Sequence, residues 1–382
     1  MEFDWQWILI ALPLAFALGW LASRLDLGQW RRSFAQAPKA YFKGLNLLLN
    51  EQTDKAIDAF IEAVQADPDT SELHFALGNL FRRRGEFERA VRVHQHLLQR
   101  ADLSLADRQR AQHALANDFV KAGLFDRAEA AFKALEGTPY QSEARLARLS
   151  LHERSRDWQA ALDVASGLDR TGSGSFAQRM AHYHCELALA ADLRGDAAGA
   201  DAELALALAA ASDSARALTL RAQRLARQGQ HAAAMLAWTD LGQRQPQTLA
   251  RLAMEFAACA QAAGQDDAAR QSLMRLFAQH PGIDLVRALA LLDGDSAATS
   301  PRLMALLAQQ PSLSAALELL DTARAQWPDA AGKSVRDAVA LAARPLQRYR
   351  CAACGFESQR HFWQCPGCLS WDSFPPQRIE EQ

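Results

Sequence analysis

Alternating runs rich in valine, isoleucine and threonine are almost absent from this chain, and only four of its 382 residues are tyrosine. That shortage argues against a sheet-built fold, because β-branched and aromatic side chains are what a pleated surface packs. An excess of one charge is missing too. The formal net charge is -2, so no global basic field points to nucleic acid. Cysteine is scarce, and four of the six residues fall into two C-x-x-C pairs, whereas Cys185 and Cys259 stand alone in apolar, helical settings. This is the pattern of a reducing compartment rather than a disulfide framework. The middle of the chain lacks a phosphate-cradling glycine loop, a G-x-S-x-G and an H-E-x-x-H. What is abundant is alanine and leucine, which favour helix.

One long apolar run is present, WQWILIALPLAFALGWLA from Trp5 to Ala22, and it carries no charge. At about 1.5 Å per residue it spans roughly 27 Å, near the hydrocarbon thickness of a bilayer. Trp5, Trp7 and Trp20 suit the two interfaces, and Pro13 and Gly19 are tolerated in a membrane helix. Glu2 and Asp4 stand where a signal peptide carries basic residues, and no small-x-small cleavage site follows. Residues 1–23 are therefore expected to be a retained transmembrane anchor. Arg24, Arg31 and Arg32 in a basic linker (24–36), with Lys39 and Lys43 beyond, place the N-terminus outside and the rest in the cytoplasm.

From residue 37 to 344 the signal is self-similarity. Gly78 and Ala90 recur 34 residues after Gly44 and Ala56, and LHFALGNLFRRRGEFERAVRVHQHLL resembles a tetratricopeptide repeat. Small residues at Gly78 and Ala90 let antiparallel helices approach closely, and Gly85 suits the turn between them. Weaker copies centre on Gly123, Trp158, Gly195, Gly229 and Gly264. The last helices lose the motif, as capping units do. TGSGS at 171–175 reads as an extended loop. The expected fold is all-α, a tetratricopeptide-repeat solenoid. A solenoid of this kind binds partners on its inner face, so Phe75, Asn79 and Arg82 are candidate partner-binding residues. His182 and His184 in HYHCELAL are two apart, which directs them to different helix faces. They read as packing or surface residues rather than a metal pair.

The segment YRCAACGFESQRHFWQCPGCLSW closes the chain's informative sequence. Two residues between cysteines let backbone amides turn toward the sulfurs, and two such turns face to face make a tetrahedral site. Cys351, Cys354, Cys365 and Cys368 are thus the candidate ligands of one divalent ion, zinc or iron. A complete sulfur set leaves His361 unneeded and leaves no open position for substrate water. Tyr349, Phe356, Phe362, Trp363 and Trp371 are expected to form a small core around the metal. Arg348, Arg350 and Arg360 are expected to offset the thiolate charge. With so little apolar burial the metal must supply most of the module's stability. The module (345–376) resembles a rubredoxin-type metal-binding domain, although Leu369 stands where the second knuckle usually carries glycine. A tail (377–382) follows. Arg344 and Pro345 join module and solenoid without a linker, so the module is expected to dock back on the solenoid.

Anchor, solenoid and four-cysteine module together resemble the lipopolysaccharide assembly protein B family of Gram-negative bacteria. The resemblance rests on LGNLFRRRGEFERAVRVHQ, AGLFDRAEAAF, HYHCELAL and the cysteine pairs. It implies a non-enzymatic inner-membrane adaptor that helps deliver the committed-step lipid A deacetylase to the ATP-dependent protease FtsH. It further implies control, through the transmembrane segment, by an inner-membrane protein that senses lipopolysaccharide. Two other readings keep the same architecture: a scaffold gathering lipopolysaccharide synthesis and export proteins without proteolysis, and an iron redox relay.

Overall fold

In a computed structural model, the described residues are 13–20, 42–170, 172, 174–294, 301–309, 312–322 and 329–382. Most of the expected anchor, the basic linker and part of the 171–175 loop lie outside them. Residues 13–20 are helical, with Leu14, Phe16, Leu18 and Trp20 exposed. No helix among the described residues is long and apolar enough to cross a membrane.

The chain divides into two compact units, Met1–Asp157 and Trp158–Gln382. The first contains α1 (42–49), α2 (Thr53–Ala66), α3 (Ser71–Arg84), α4 (Phe87–Gln99), α5 (Leu105–Lys121), α6 (Phe125–Lys133) and α7 (Gln141–Ser155). Consecutive helices pack as antiparallel pairs, and the repeat glycines explain how. A Cβ on Gly78 would lie 2.6 Å from the His94 ring, so α3 and α4 can close only over a hydrogen. Gly85 ends α3 in the left-handed region at φ 84°. Leu77, Leu80, Phe81 and Ala90 then join Ile57, Phe60 and Ala63 of α2 in one core.

A polar knot also ties this unit together. Asp118 on α5 is fully buried, 2.5 Å from His94 Nδ1 on α4, and accepts from Arg82 of α3 at 2.9 Å. A buried carboxylate is tolerable only with such partners. At the repeat boundary Arg100 donates to the Pro68 and Asp69 carbonyls, 32 and 31 positions back. In the second unit Arg244 donates likewise to the Ser212 carbonyl, again 32 positions back. The same clamp recurs because the same geometry recurs.

The second unit runs through α8 (Trp158–Arg170), α9 (Ala177–Leu193), α10 (Ala197–Ala210), α11 (Ala215–Arg227) and α12 (His231–Arg244). It continues with α13 (Pro246–Arg251), α14 (Ala253–Ala263), α15 (Asp266–Gln279), α16 (Ile283–Asp293), α17 (Pro301–Gln309), α18 (Leu313–Thr322) and α19 (Asp329–Leu346). Its largest core joins α11, α12, α14, α15 and α16 around Trp238, Leu241, Phe256 and Leu273. The short α13 is an addition to the repeat pattern. Pro246 starts it, because the missing N–H costs nothing in a first turn.

α19 continues past Arg344 and Pro345 to Leu346, with the proline in its last turn. The metal module then begins with β1 (Tyr349–Arg350), antiparallel to β2 (Glu357–Ser358), with Tyr349 opposite Ser358. The terminal residues fold as a 3-10 helix, Ile379–Glu381, whose Ile379 N–H bonds the Arg348 carbonyl.

Candidate metal centre

The β1–β2 hairpin and the Gln364–Trp371 bridge hold two knuckles opposite each other. In the first, Gly355 N–H bonds the Cys351 carbonyl and φ of Gly355 is 77°. In the second, Leu369 N–H bonds the Cys365 carbonyl and φ of Leu369 is 60°. The departure from glycine at Leu369 leaves the left-handed turn in place, but with a side chain that conformation disfavours.

The knuckles direct the same set of amides at sulfur. Those of Ala353 and Cys354 point at Cys351, and that of Phe356 at Cys354. Gly367 and Cys368 repeat this for Cys365, and Ser370 for Cys368. The Ser373 and Ser370 hydroxyls lie 3.3 Å from the Cys351 and Cys368 sulfurs. Burial pushes the Cys351 thiol up, but these contacts outweigh it and bring it down to about 6. At Cys354 the Phe356 amide pulls down, yet burial and the neighbouring sulfurs prevail and push the thiol up to about 12. Thiolates this close repel one another, and a cation among them offsets that repulsion.

The sulfurs fit that cation. Ligands about 2.3 Å from one ion in a tetrahedron lie about 3.8 Å from each other. Cys351 and Cys368 are 3.8 Å apart, Cys354 and Cys365 are 3.7 Å apart, and all four sulfurs fall within 4.8 Å of one another. These residues can hold one metal ion, and a closed sulfur set makes its contribution structural cross-linking. The first cysteine of each pair is buried and the second exposed.

Several sequence expectations need correction. Arg348 and Arg350 are engaged by Glu357 across the hairpin, at 3.5 and 2.8 Å, so the amides and serines face the sulfurs instead. Tyr349 and Phe362 do pack in the module core, but the third aromatic there is Phe374, and Phe356 is exposed. His361, which the sulfur set leaves unneeded, is engaged elsewhere in the module. Its Nε2 donates to the Phe374 carbonyl at 3.1 Å, and burial, with Arg251 adding to it, brings its pKa down to about 4. Of the candidate partner-binding residues, Asn79 and Arg82 are half-buried and Phe75 is buried. Phe75 is buried against Leu97 and Ala111, and Arg82 is spent on Asp118, the Ala114 carbonyl and the Asn79 side chain.

Trp371 and Trp363 turn outward from the module, toward the helices of the second unit. The Trp371 ring stacks on His182 of α9 at 4.5 Å and 18° and meets Trp158 and Tyr183 edge-on. His182 is buried, and its Nε2 lies 2.7 Å from an Asp372 carboxylate oxygen. Its neighbour His184 points elsewhere, to Glu203 at 2.7 Å. The Arg251 guanidinium lies 5.7 Å over Trp363, and Arg378 reaches Asp284 at 2.8 Å. Reasoning from sequence missed His182 and Asp372 as a docking pair. The one available signal was a histidine on a buried helix face, which the packing reading explained equally well.

Comparison with known proteins matches this anatomy. A tetratricopeptide repeat family profile covers residues 43–102 and 113–176, and a rubredoxin metal binding domain profile covers 349–376. A solved tetratricopeptide repeat protein from Parabacteroides merdae covers 68% of this chain and 99% of its own. At 15% identity and a TM-score of 0.34 that likeness carries no argument. Lipopolysaccharide assembly protein B of Haemophilus influenzae is 27% identical over 392 residues, 98% of each chain. The protein of that name from Escherichia coli (strain K12) is 31% identical over 381 residues, 97% of this chain and 98% of its own. By this end-to-end similarity the chain belongs to the lipopolysaccharide assembly protein B family.

Proposed function

We propose that this protein is a non-enzymatic adaptor of lipopolysaccharide assembly at the inner membrane. It promotes degradation of the committed-step lipid A deacetylase by the membrane-bound protease FtsH. The observation that carries the reading is the similarity to proteins named for lipopolysaccharide assembly across 97% of the chain, helices and cysteine module included. A sulfur-closed metal site and helix pairs suit a part that holds and presents partners rather than one that turns over substrate. The Trp5–Ala22 run anchors the chain with its bulk in the cytoplasm, and an inner-membrane regulator that senses lipopolysaccharide acts on that segment.

The test is the half-life of the deacetylase in cells with and without this protein. The adaptor reading expects a several-fold longer half-life in its absence, and an unchanged half-life would overturn it in favour of a non-proteolytic scaffold. Deleting residues 1–23 should yield a chain that regulates poorly, and full regulation by that form would remove the anchor from the mechanism.

A further inference from the structure

Between α13, the start of α16 and the C-terminal tail lies a cavity of about 190 Å3, lined by Gln247, Arg251, Gln279, His280, Asp284 and Glu381 among others. Its two carboxylates are already matched. Arg378 donates to Asp284 at 2.8 Å and to Glu381 at 3.2 Å, and Glu381 also accepts the Arg378 backbone N–H at 2.8 Å. Arg251 is the charge left over. Among the described residues it makes no hydrogen bond or ion pair, its Nε is buried without a partner, and its guanidinium lies over the Trp363 ring. Burial lowers its pKa from the usual guanidinium value, and the attraction of Tyr349, Glu255 and Asp284 offsets only part of that.

An unmatched guanidinium in a partly buried, amide-lined recess is costly unless an anion completes it. Its planar fork suits the paired oxygens of phosphate or carboxylate. Gln247 and Gln279 also line the cavity, and the volume admits a small ion with a few waters.

We propose that this cavity is a binding site for a small oxyanion, a phosphate or a carboxylate, held by Arg251. The site is built jointly by α13, α16 and the tail that follows the metal module, so its occupant also fastens that tail to the helices. The proposal does not depend on the adaptor reading.

Isothermal titration of the metal-loaded full chain with inorganic phosphate, and separately with acetate, tests it and tells the two oxyanions apart. At ten times the measured Kd the bound ion should raise Tm by about 3 °C. Arg251→Gln should weaken binding at least about ten-fold. Gly282→Val supplies a second arm that leaves Arg251 untouched. A Cβ there meets nothing nearer than Glu381 at 4.0 Å, and Gly282 lines the cavity, so the new side chain takes up space the ion would need. Loss of binding in either variant, with metal content retained, supports the site. Absence of binding by the parent chain, or an equal Tm rise in both variants from general salt exclusion, overturns it.

Discussion

His182 and Asp372 are 190 positions apart in sequence and 2.7 Å apart in space, while Cys351 and Cys354 owe their proximity to a single turn of backbone. Residues of the second kind carry the metal, and their loss has a simple outcome. Cys351→Ser should lower bound metal well below one ion per chain and abolish the near-ultraviolet signature of the module's aromatics. Full metal content in the variant would contradict a four-sulfur site. Leu369 gives the opposite prediction. At φ 60° it occupies a conformation that costs a side chain roughly 1–2 kcal/mol. Leu369→Gly should therefore stabilise the module by on the order of 1 kcal/mol, seen as slower metal loss to a chelator. Equal or faster loss would show that the leucine side chain contributes packing that outweighs the strain.

At the scale of helix pairs, the controlling distance is the approach of α3 to α4. Gly78→Ala places a methyl 2.6 Å from the His94 ring, and that ring cannot retreat without loosening its hold on the buried Asp118. Destabilisation of roughly 1–3 kcal/mol is expected, from overpacking and from strain on the polar knot. Denaturant unfolding of the first unit measures it, and an unchanged midpoint would mean the helices can part freely. This pair was legible in the sequence, because a small residue recurring at a fixed offset marks a close approach. The polar knot was not legible. Arg82 was expected to face a ligand from its position on the repeat's first helix, and no local pattern reveals that a carboxylate lies 36 residues away to claim it.

At the scale of the molecule, the metal module is folded against the second unit as part of its surface. Trp371 stacking, the His182–Asp372 contact and the Arg378–Asp284 ion pair hold it there. His182→Ala should remove about 2–3 kcal/mol of that docking. Hydrogen exchange at residues 363–374 should quicken while the four cysteines keep their metal. Exchange as slow as in the parent chain would place the docking energy elsewhere. The sequence by itself determined the helical class, the repeat and the four-thiolate set, because each rests on residue spacing within a turn, a helix or one repeat. Only the tertiary structure decided what the module leans on, which arginines are free and which histidine is a docking residue. Those contacts join positions with no period between them, and a side chain's burial and partner depend on what the fold brings opposite it.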